Sequence, residues 1–172
     1  MQKNHGHTLP ELMICLLLVS SLASIATPSF SALLLNNQKA QQTNILLGVL
    51  HYARNTAVLS KETVTVCAGT TQCSPSDIWS GSLLVFIDRN GDGIRDKDEP
   101  LLRQATLDDS HSWKWLNFRK RPHLIYERNG TTQALNGTFT LCRTGKALHQ
   151  VVISLSGRIR SQEPDDQGTS CR

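Results

Sequence analysis

The sequence lacks the arrangements of residues that mark most enzymes. Its histidines show no spacing typical of metal ligands, and no glycine-rich phosphate loop or nucleophile elbow is present. The histidines are His5, His7, His51, His111, His123 and His149. Catalysis is therefore not expected, and neither is a cofactor.

The chain also lacks internal repeats, low-complexity segments and the length for two full domains. Of its 172 residues, about 120 remain once an apolar N-terminal helix is set aside, which suits one compact domain. The net charge of +4 is unevenly distributed. Residues 61–112 hold five basic and nine acidic side chains, whereas residues 113–160 hold nine basic and one acidic. The second half of the globular part is therefore a basic region.

A long uncharged segment dominates the N-terminus. Residues 12–35 contain no charged side chain over 24 positions, and about 20 apolar residues suffice to span a bilayer. Residues 1–6 contain Lys3 and no acidic residue, which favours a cytoplasmic N-terminus. The pattern predicts a membrane-spanning helix, and a plain signal anchor would share every feature named so far.

A short motif at the start of this segment distinguishes the two interpretations. The motif is Gly6-His7-Thr8-Leu9-Pro10-Glu11-Leu12. It resembles the type IV prepilin signature, with His7 in the place where phenylalanine is usual. The resemblance implies that a prepilin peptidase cleaves after Gly6, that His7 becomes a methylated amino terminus, and that Glu11 pairs with the amino terminus of a neighbouring subunit. Such a pairing would offset the cost of a carboxylate beside a membrane segment.

The remaining pattern predicts an α+β fold, a long N-terminal helix packed on a globular β-sheet domain. The helix should continue to about residue 60 as an amphipathic segment. Strands are predicted at residues 63–68, 81–88, 101–107, 124–128, 137–143 and 151–155. This order, with the stretch from Trp79 to Arg103, resembles minor pilins and pseudopilins of the GspH/FimT type.

The motif and the fold pattern together predict three segments. Residues 1–6 are the leader, residues 7–35 the transmembrane and assembly helix, and residues 36–172 an amphipathic helix that continues into a β-rich pilin domain. The chain is expected to cross the bacterial inner membrane once, with this domain in the periplasm, and then to join a pilus at the cell surface.

Four cysteines outside the apolar segment are compatible with disulfides in an oxidising compartment. They are Cys67, Cys73, Cys142 and Cys171, and three pairings are open. We favour Cys67 with Cys73 and Cys142 with Cys171, because each joins plausible neighbours and the second would tie down the chain end.

An acidic stretch satisfies the pattern of an EF-hand calcium loop, with side-chain oxygens at the ligand positions and glycine at the sixth. The weak candidate ligands are Asp88, Asn90, Asp92, Asp96 and Glu99. However, a strand and not a helix is predicted on each side. The favoured interpretation is an acidic turn between strands, in which Asn-Gly and Asp-Gly supply the geometry, and no metal is favoured.

The basic motif Gly157-Arg158-Ile159-Arg160 follows an apolar strand near the C-terminus. In an extended segment its two arginines project to one side, about 7 Å apart, and each guanidinium can grip a phosphate. The motif is similar to the one by which FimT-type minor pilins of competent bacteria bind DNA. Two arginines after a strand can also be a solvated edge that discourages strand pairing.

Aromatic and basic residues alternate from Trp113 to Arg121, a combination suited to base stacking and phosphate contact. The alternation also fits a half-buried strand whose basic residues face water, which is the favoured interpretation. An electrostatic contribution to DNA binding is expected from a secondary set: Lys114, Arg119, Lys120, Arg121, Arg143 and Lys146.

The sequence therefore predicts a minor type IV pilin that binds double-stranded DNA without sequence preference, through its C-terminal arginines, during natural transformation. Its other expected partners are pilin subunits, the prepilin peptidase and the inner membrane. The alternative is a structural minor pilin or type II secretion pseudopilin that primes filament assembly without binding DNA.

Overall fold

The computed structural model describes residues 8–164 and residue 171, except for the side chains of residues 25–29 and 31. One helix, α1, runs Leu9–Ser60. The strands are β1 (Val64–Ala68), β2 (Ile78–Trp79), β3 (Ser82–Ile87), β4 (Leu101–Thr106), β5 (Ser112–Asn117), β6 (His123–Tyr126), β7 (Gly137–Arg143), β8 (Lys146–Ile153) and β9 (Ile159–Gln162). The α+β fold is confirmed.

The chain divides into two compact units, Met1–Gln38 and Lys39–Arg172. In the first unit, three serines of α1 donate hydrogen bonds to carbonyl groups one turn earlier, which satisfies their hydroxyls within the helix. Across the described residues, no helix meets the length and apolarity needed to cross a membrane.

The second unit contains two antiparallel sheets. Sheet 1 has the strand order β4-β3-β1-β6, and sheet 2 has the order β2-β5-β7-β8-β9. The sequence missed the short edge strands β2 and β9, and it placed β8 too late and too short. The errors at β8 and β9 have one physical cause, because β9 and the first half of β8 are polar or half-buried and lack the apolar alternation that marks a strand.

A single core cluster joins the C-terminal part of α1 to both sheets. The helix contributes Leu46, Val49, Leu50, Ala53 and Ala57, which recur at helical spacing and are fully buried. Burying each of the larger side chains contributes about 1.5–3 kcal/mol. This packing fixes the helix against the sheets and thereby holds the loops at the sheet ends in place.

Three aromatic rings fill the centre of the core beneath sheet 2. Trp115 stacks on Phe139 with ring centroids 3.9 Å apart, and Trp79 meets Phe139 edge-on at 4.6 Å. The indole groups of Trp79 and Trp115 donate to the carbonyl groups of Pro122 and His123. Because these bonds join β2 and β5 to the segment that opens β6, they anchor the loop between β5 and β6.

Candidate nucleic-acid interface

A tight turn joins β8 to β9 and presents the predicted arginines. The amide of Ser154 donates to the carbonyl of Arg158 at 3.0 Å, and the Ser154 hydroxyl accepts from the Arg158 amide at 3.1 Å. Arg54 of α1 holds the turn from below, since its guanidinium donates to the carbonyl groups of Gly130 and Ser156, both at 3.2 Å. The turn is therefore fixed to the helix.

Gly157 has a structural explanation that the sequence did not reveal. It is buried, with a φ of +74°, and a Cβ built there would lie 1.9 Å from the carbonyl oxygen of Gly130. The site therefore requires glycine for both conformation and space. Although Gly157 was grouped with the DNA-contacting residues, its buried position suits it to shape the turn that carries Arg158.

Arg158 and Arg160 are exposed, and both lie on the outer face of sheet 2. The residue between them, Ile159, packs against the core, as expected for a strand with alternating faces. Arg160 is opposite Val152 in the ladder, and β9 is the edge strand. Within the described part of the chain, neither guanidinium has a carboxylate within 4.0 Å.

The basic loop at residues 118–122 lies at the same end of sheet 2. The strand register aligns Asn117 of β5 with Gly137, Ile153 and Ile159 of the next three strands. Because β5 and β9 are three strands apart and neighbouring strands lie about 4.8 Å apart, the loop is about 14 Å from the β8–β9 turn. We call this end, residues 118–122 and 154–160, the arginine end.

Paired hydrogen bonds hold the basic loop in shape. The Asn117 side chain accepts from the Arg121 amide at 3.0 Å and donates to the Arg121 carbonyl at 2.7 Å. Lys120, with a φ of +52°, forms the tight part of the turn. Arg119, Lys120 and Arg121 are all exposed, and no salt bridge links them to a carboxylate among the described residues.

The other members of the secondary basic set lie elsewhere. Lys114 is half-buried in the middle of β5, opposite Thr140 of β7. Arg143 and Lys146 flank the β7–β8 hairpin, which lies at the opposite end of sheet 2. The structure thus separates residues that the sequence had grouped by charge.

The opposite end is tied together covalently and by charge. Cys142 bonds to Cys171, and Cys67 bonds to Cys73, which are the pairings favoured from the sequence. Lys39 of α1 pairs with Glu163 at 3.0 Å, and His149 lies 3.6 Å from the same carboxylate. We call residues 108–111, 142–149, 163 and 171 the disulfide end.

Burial and neighbouring charges shift the pKa values of titratable groups at the disulfide end. Burial lowers the pKa of His111, and the neighbouring Arg143 lowers this pKa further, while Asp108 opposes both. Burial likewise lowers the pKa of His149. The hydrogen bond from Lys39 lowers the pKa of the Glu163 carboxyl, which favours the ionised form of the pair. Lys39 and His149 therefore share the Glu163 carboxylate at this end.

The stacking hypothesis for Trp113 and Trp115 is wrong, because both side chains are 1% exposed in the core. They belong to the half-buried strand β5, with Lys114 and Leu116 on its other face. Phe118, in contrast, is 78% exposed. Its sequence neighbours are the basic residues of the loop.

The acidic stretch at residues 88–99 folds back on itself. The Asp88 carboxylate accepts from the amides of Gly91 and Gly93 and from the Thr65 hydroxyl. The Glu99 carboxylate accepts from the amides of Arg89 and Asp96. Among the described residues, no group of three or more acidic, histidine or cysteine side chains is arranged to hold a metal. The hydrogen bonding supports the acidic-turn interpretation.

The predicted processing site falls only partly within the described residues. Gly6 and His7 lie outside them, and Glu11 occupies the first turn of α1. An acidic residue in this place interacts favourably with the positive end of the helix dipole. The pairing of Glu11 with another subunit stays a prediction.

Two contributors to the site escaped the sequence analysis. Arg54 lies within an amphipathic helix, and nothing in the local pattern indicates that its side chain reaches the turn 102 residues later. Phe118 was identified only as a possible strand residue, because alternation cannot tell where a strand ends. Long-range contacts and strand ends have no local sequence signature.

Comparison with known proteins agrees with this architecture. Residues 42–157 match the family described as Type II transport protein GspH, whereas no curated protein matches. The type IV minor pilin FimU of Pseudomonas aeruginosa aligns with a TM-score of 0.61 at 22% identity, covering 80% of this chain and 96% of FimU.

A second solved structure also aligns with the chain. It is the minor pseudopilin EPSH from the type II secretion system of Vibrio cholerae, with a TM-score of 0.47, 14% identity, and coverage of 77% of this chain and 94% of EPSH. The family match spans well over half of the sequence. The chain therefore belongs to the GspH family, and its α+β fold is shared with the minor pilin FimU.

Proposed function

We propose that the protein is a minor type IV pilin that binds double-stranded DNA through the arginine end during DNA uptake. The observation that carries this proposal is the placement of Arg158 and Arg160 at the same end of sheet 2 as Arg119, Lys120 and Arg121. Five exposed cations, none with a carboxylate oxygen within 4.0 Å among the described residues, create a positive potential suited to phosphate.

Binding through such a surface would be largely independent of sequence. The arginines would reach phosphate oxygens through a planar pair of donors, and phosphate contacts carry no sequence information. Lys114, Arg143 and Lys146 remain outside this interface in our proposal, because they lie mid-strand or at the disulfide end.

The N-terminus would deliver this surface to a filament. Cleavage after Gly6 by a prepilin peptidase would free an amino terminus at His7, and Glu11 would pair with a neighbouring subunit during assembly. Residues 7–35 would anchor the chain in the inner membrane before assembly, with residues 36–172 in the periplasm. Other pilin subunits are thus the protein's obligatory partners in the proposed mechanism.

A structural role is the second candidate. The family is described by type II transport, and a pseudopilin could use the same basic surface to meet an acidic face of a neighbouring subunit. In that role the protein would prime filament assembly without binding DNA. Deleting the gene distinguishes the two roles, since lost pili favour assembly and retained pili with lost transformation favour uptake.

The direct test measures duplex binding by the full chain in detergent micelles. Replacing Arg158 and Arg160 with alanine should weaken binding and reduce the slope of log K against log salt by about 1.8, since each phosphate contact contributes about 0.9. Gel shifts over a range of salt concentrations give both values.

The matched control is the double variant Arg158→Lys/Arg160→Lys, which keeps the charge and loses the planar fork. It should retain most of the salt slope. Unchanged affinity in the alanine variant would remove the site assignment, and absence of binding by the wild-type chain at low salt would favour the structural role.

A further inference from the structure

Phe118 is an unusual residue for the surface of this protein. The chain has nine aromatic residues, three Trp, two Tyr and four Phe. Within described residues 39–164, Phe118 is the only exposed one, at 78%, whereas the rings of Trp79, Trp115 and Phe139 form the core. A large apolar ring left in water is costly unless a partner covers it.

The ring shares a face with the predicted phosphate-binding arginines. Phe118 directly follows β5, at the start of the turn, and its amide donates to the carbonyl of Asn136, which precedes β7, at 3.1 Å. Leu116 is 54% exposed and is paired with Thr138 of β7. Thr138 is paired with Val152 of β8, and Val152 with Arg160 of β9. Alternation along the strands therefore places Leu116, Phe118, Arg158 and Arg160 on the outer face of sheet 2.

Cations border this apolar strip on both sides. Arg119, Lys120 and Arg121 follow Phe118 in the loop, and Arg158 and Arg160 lie across the sheet at about 14 Å, the length of roughly four nucleotides at 3.4 Å each. An apolar platform between two anion-binding clusters matches the alternation of bases and phosphates in a single strand.

From this arrangement we infer that the arginine end binds unpaired DNA bases, with Phe118 as the stacking platform. The inference rests on the proposed function, because the same arginines hold the backbone. Every base has an aromatic face, so stacking is tolerant of sequence. In an intact duplex those faces are covered by neighbouring base pairs, and Phe118 contributes only when a base is unpaired. Single-stranded DNA and frayed ends should therefore bind better than an intact duplex.

The test uses the full chain in detergent micelles and two fluorescent probes of equal length, an oligothymidylate and a blunt duplex. Phe118→Ala should weaken binding of the oligothymidylate by at least about five-fold, the lower range for loss of one base stack. Binding of the duplex should stay unchanged. Phe118→Trp should restore the oligothymidylate affinity, and Phe118→Leu should not, because leucine is apolar but has no ring.

Leu101→Ala is the matched control, because Leu101 is 40% exposed but lies in β4 of sheet 1. It should change neither affinity.

Equal weakening of both probes by Phe118→Ala, or no change in either, would overturn the inference while leaving the proposed function in place. If the wild-type chain binds neither probe, the proposed function itself fails. DNA binding that is intact in Phe118→Ala, with lost association to other pilins, would identify the ring as a subunit contact and overturn the inference.

Discussion

The arginine end and the disulfide end of sheet 2 both carry basic residues, yet they are built differently. At the disulfide end, Lys39 meets Glu163, and the chain terminus is bonded through Cys142 and Cys171. At the arginine end, the exposed guanidinium groups have no described carboxylate partner, and hydrogen bonds to backbone atoms shape the loops. A cation that already has a carboxylate partner, such as Lys39, is a weaker candidate for phosphate binding than a cation that has none.

The difference extends to what each end can bind. Charges that already have partners gain little from a phosphate, since the existing pair must first be broken. The cations of the arginine end have no carboxylate within 4.0 Å among the described residues, so no ion pair has to be broken there. A fixed backbone beneath them also limits the entropy lost on binding, because Arg54 and Gly157 hold the β8–β9 turn before any ligand arrives.

The largest expected effect comes from opening the disulfide end. Replacing Cys142 and Cys171 with serine should lower the free energy of unfolding by about 3.6 kcal/mol, because the bond closes 29 residues. Replacing Cys67 and Cys73, which close six residues, should cost about 2.2 kcal/mol. Chemical denaturation followed by tryptophan fluorescence measures both values.

The same cysteine variants separate the two ends. DNA affinity below the unfolding transition should be retained in Cys142→Ser/Cys171→Ser, since the arginine end has its own supports. A loss of affinity as large as that of Arg158→Ala/Arg160→Ala would mean that the two ends are coupled and would break the comparison.

A smaller effect is expected from the turn beneath Arg158. Gly157→Ala should lower the free energy of unfolding by more than about 2 kcal/mol, because alanine meets both a positive φ and the Gly130 carbonyl oxygen. Gly145→Ala is the control, since Gly145 has a φ of +78° but open space around it. It should cost only about 1–2 kcal/mol.

Comparing Gly157→Ala with Gly145→Ala tests whether Gly157 shapes the turn or contacts DNA. Denaturation curves give the stabilities, and gel shifts on the folded variants give the affinities. If Gly157→Ala left stability untouched and abolished DNA binding, Gly157 would be a contact residue and our structural explanation would be wrong.

Much of the fold was predictable because its signals are local. The end of α1 at Ser60 and strand β7 at Gly137–Arg143 were predicted with their observed bounds, since an amphipathic period and an apolar strand are visible in a short window. Strand β9 was not predicted, because its residues Ile159–Gln162 are mostly exposed and gain their structure from pairing with β8.

The sequence was enough to identify the charged residues of the candidate site, but not to predict where they lie relative to one another. Arg158 and Arg160 were identified from their spacing, but the basic set could not be divided between two ends of a sheet before the register was known. The favoured interpretation of a half-buried strand agrees with the burial of Trp113 and Trp115, but Phe118, which it included only as a possibility, is exposed. Which ring faces water depends on where β5 ends, and no short window of sequence defines that point.

The most direct test of the central claim compares two charge-matched double variants of the full chain. Arg158→Ala/Arg160→Ala removes two cations from the arginine end, and Arg143→Ala/Lys146→Ala removes two from the disulfide end. We predict that the first variant lowers the salt slope of duplex binding by about 1.8 and that the second leaves it nearly unchanged. Equal losses in both variants would show that overall charge governs binding and would contradict the account.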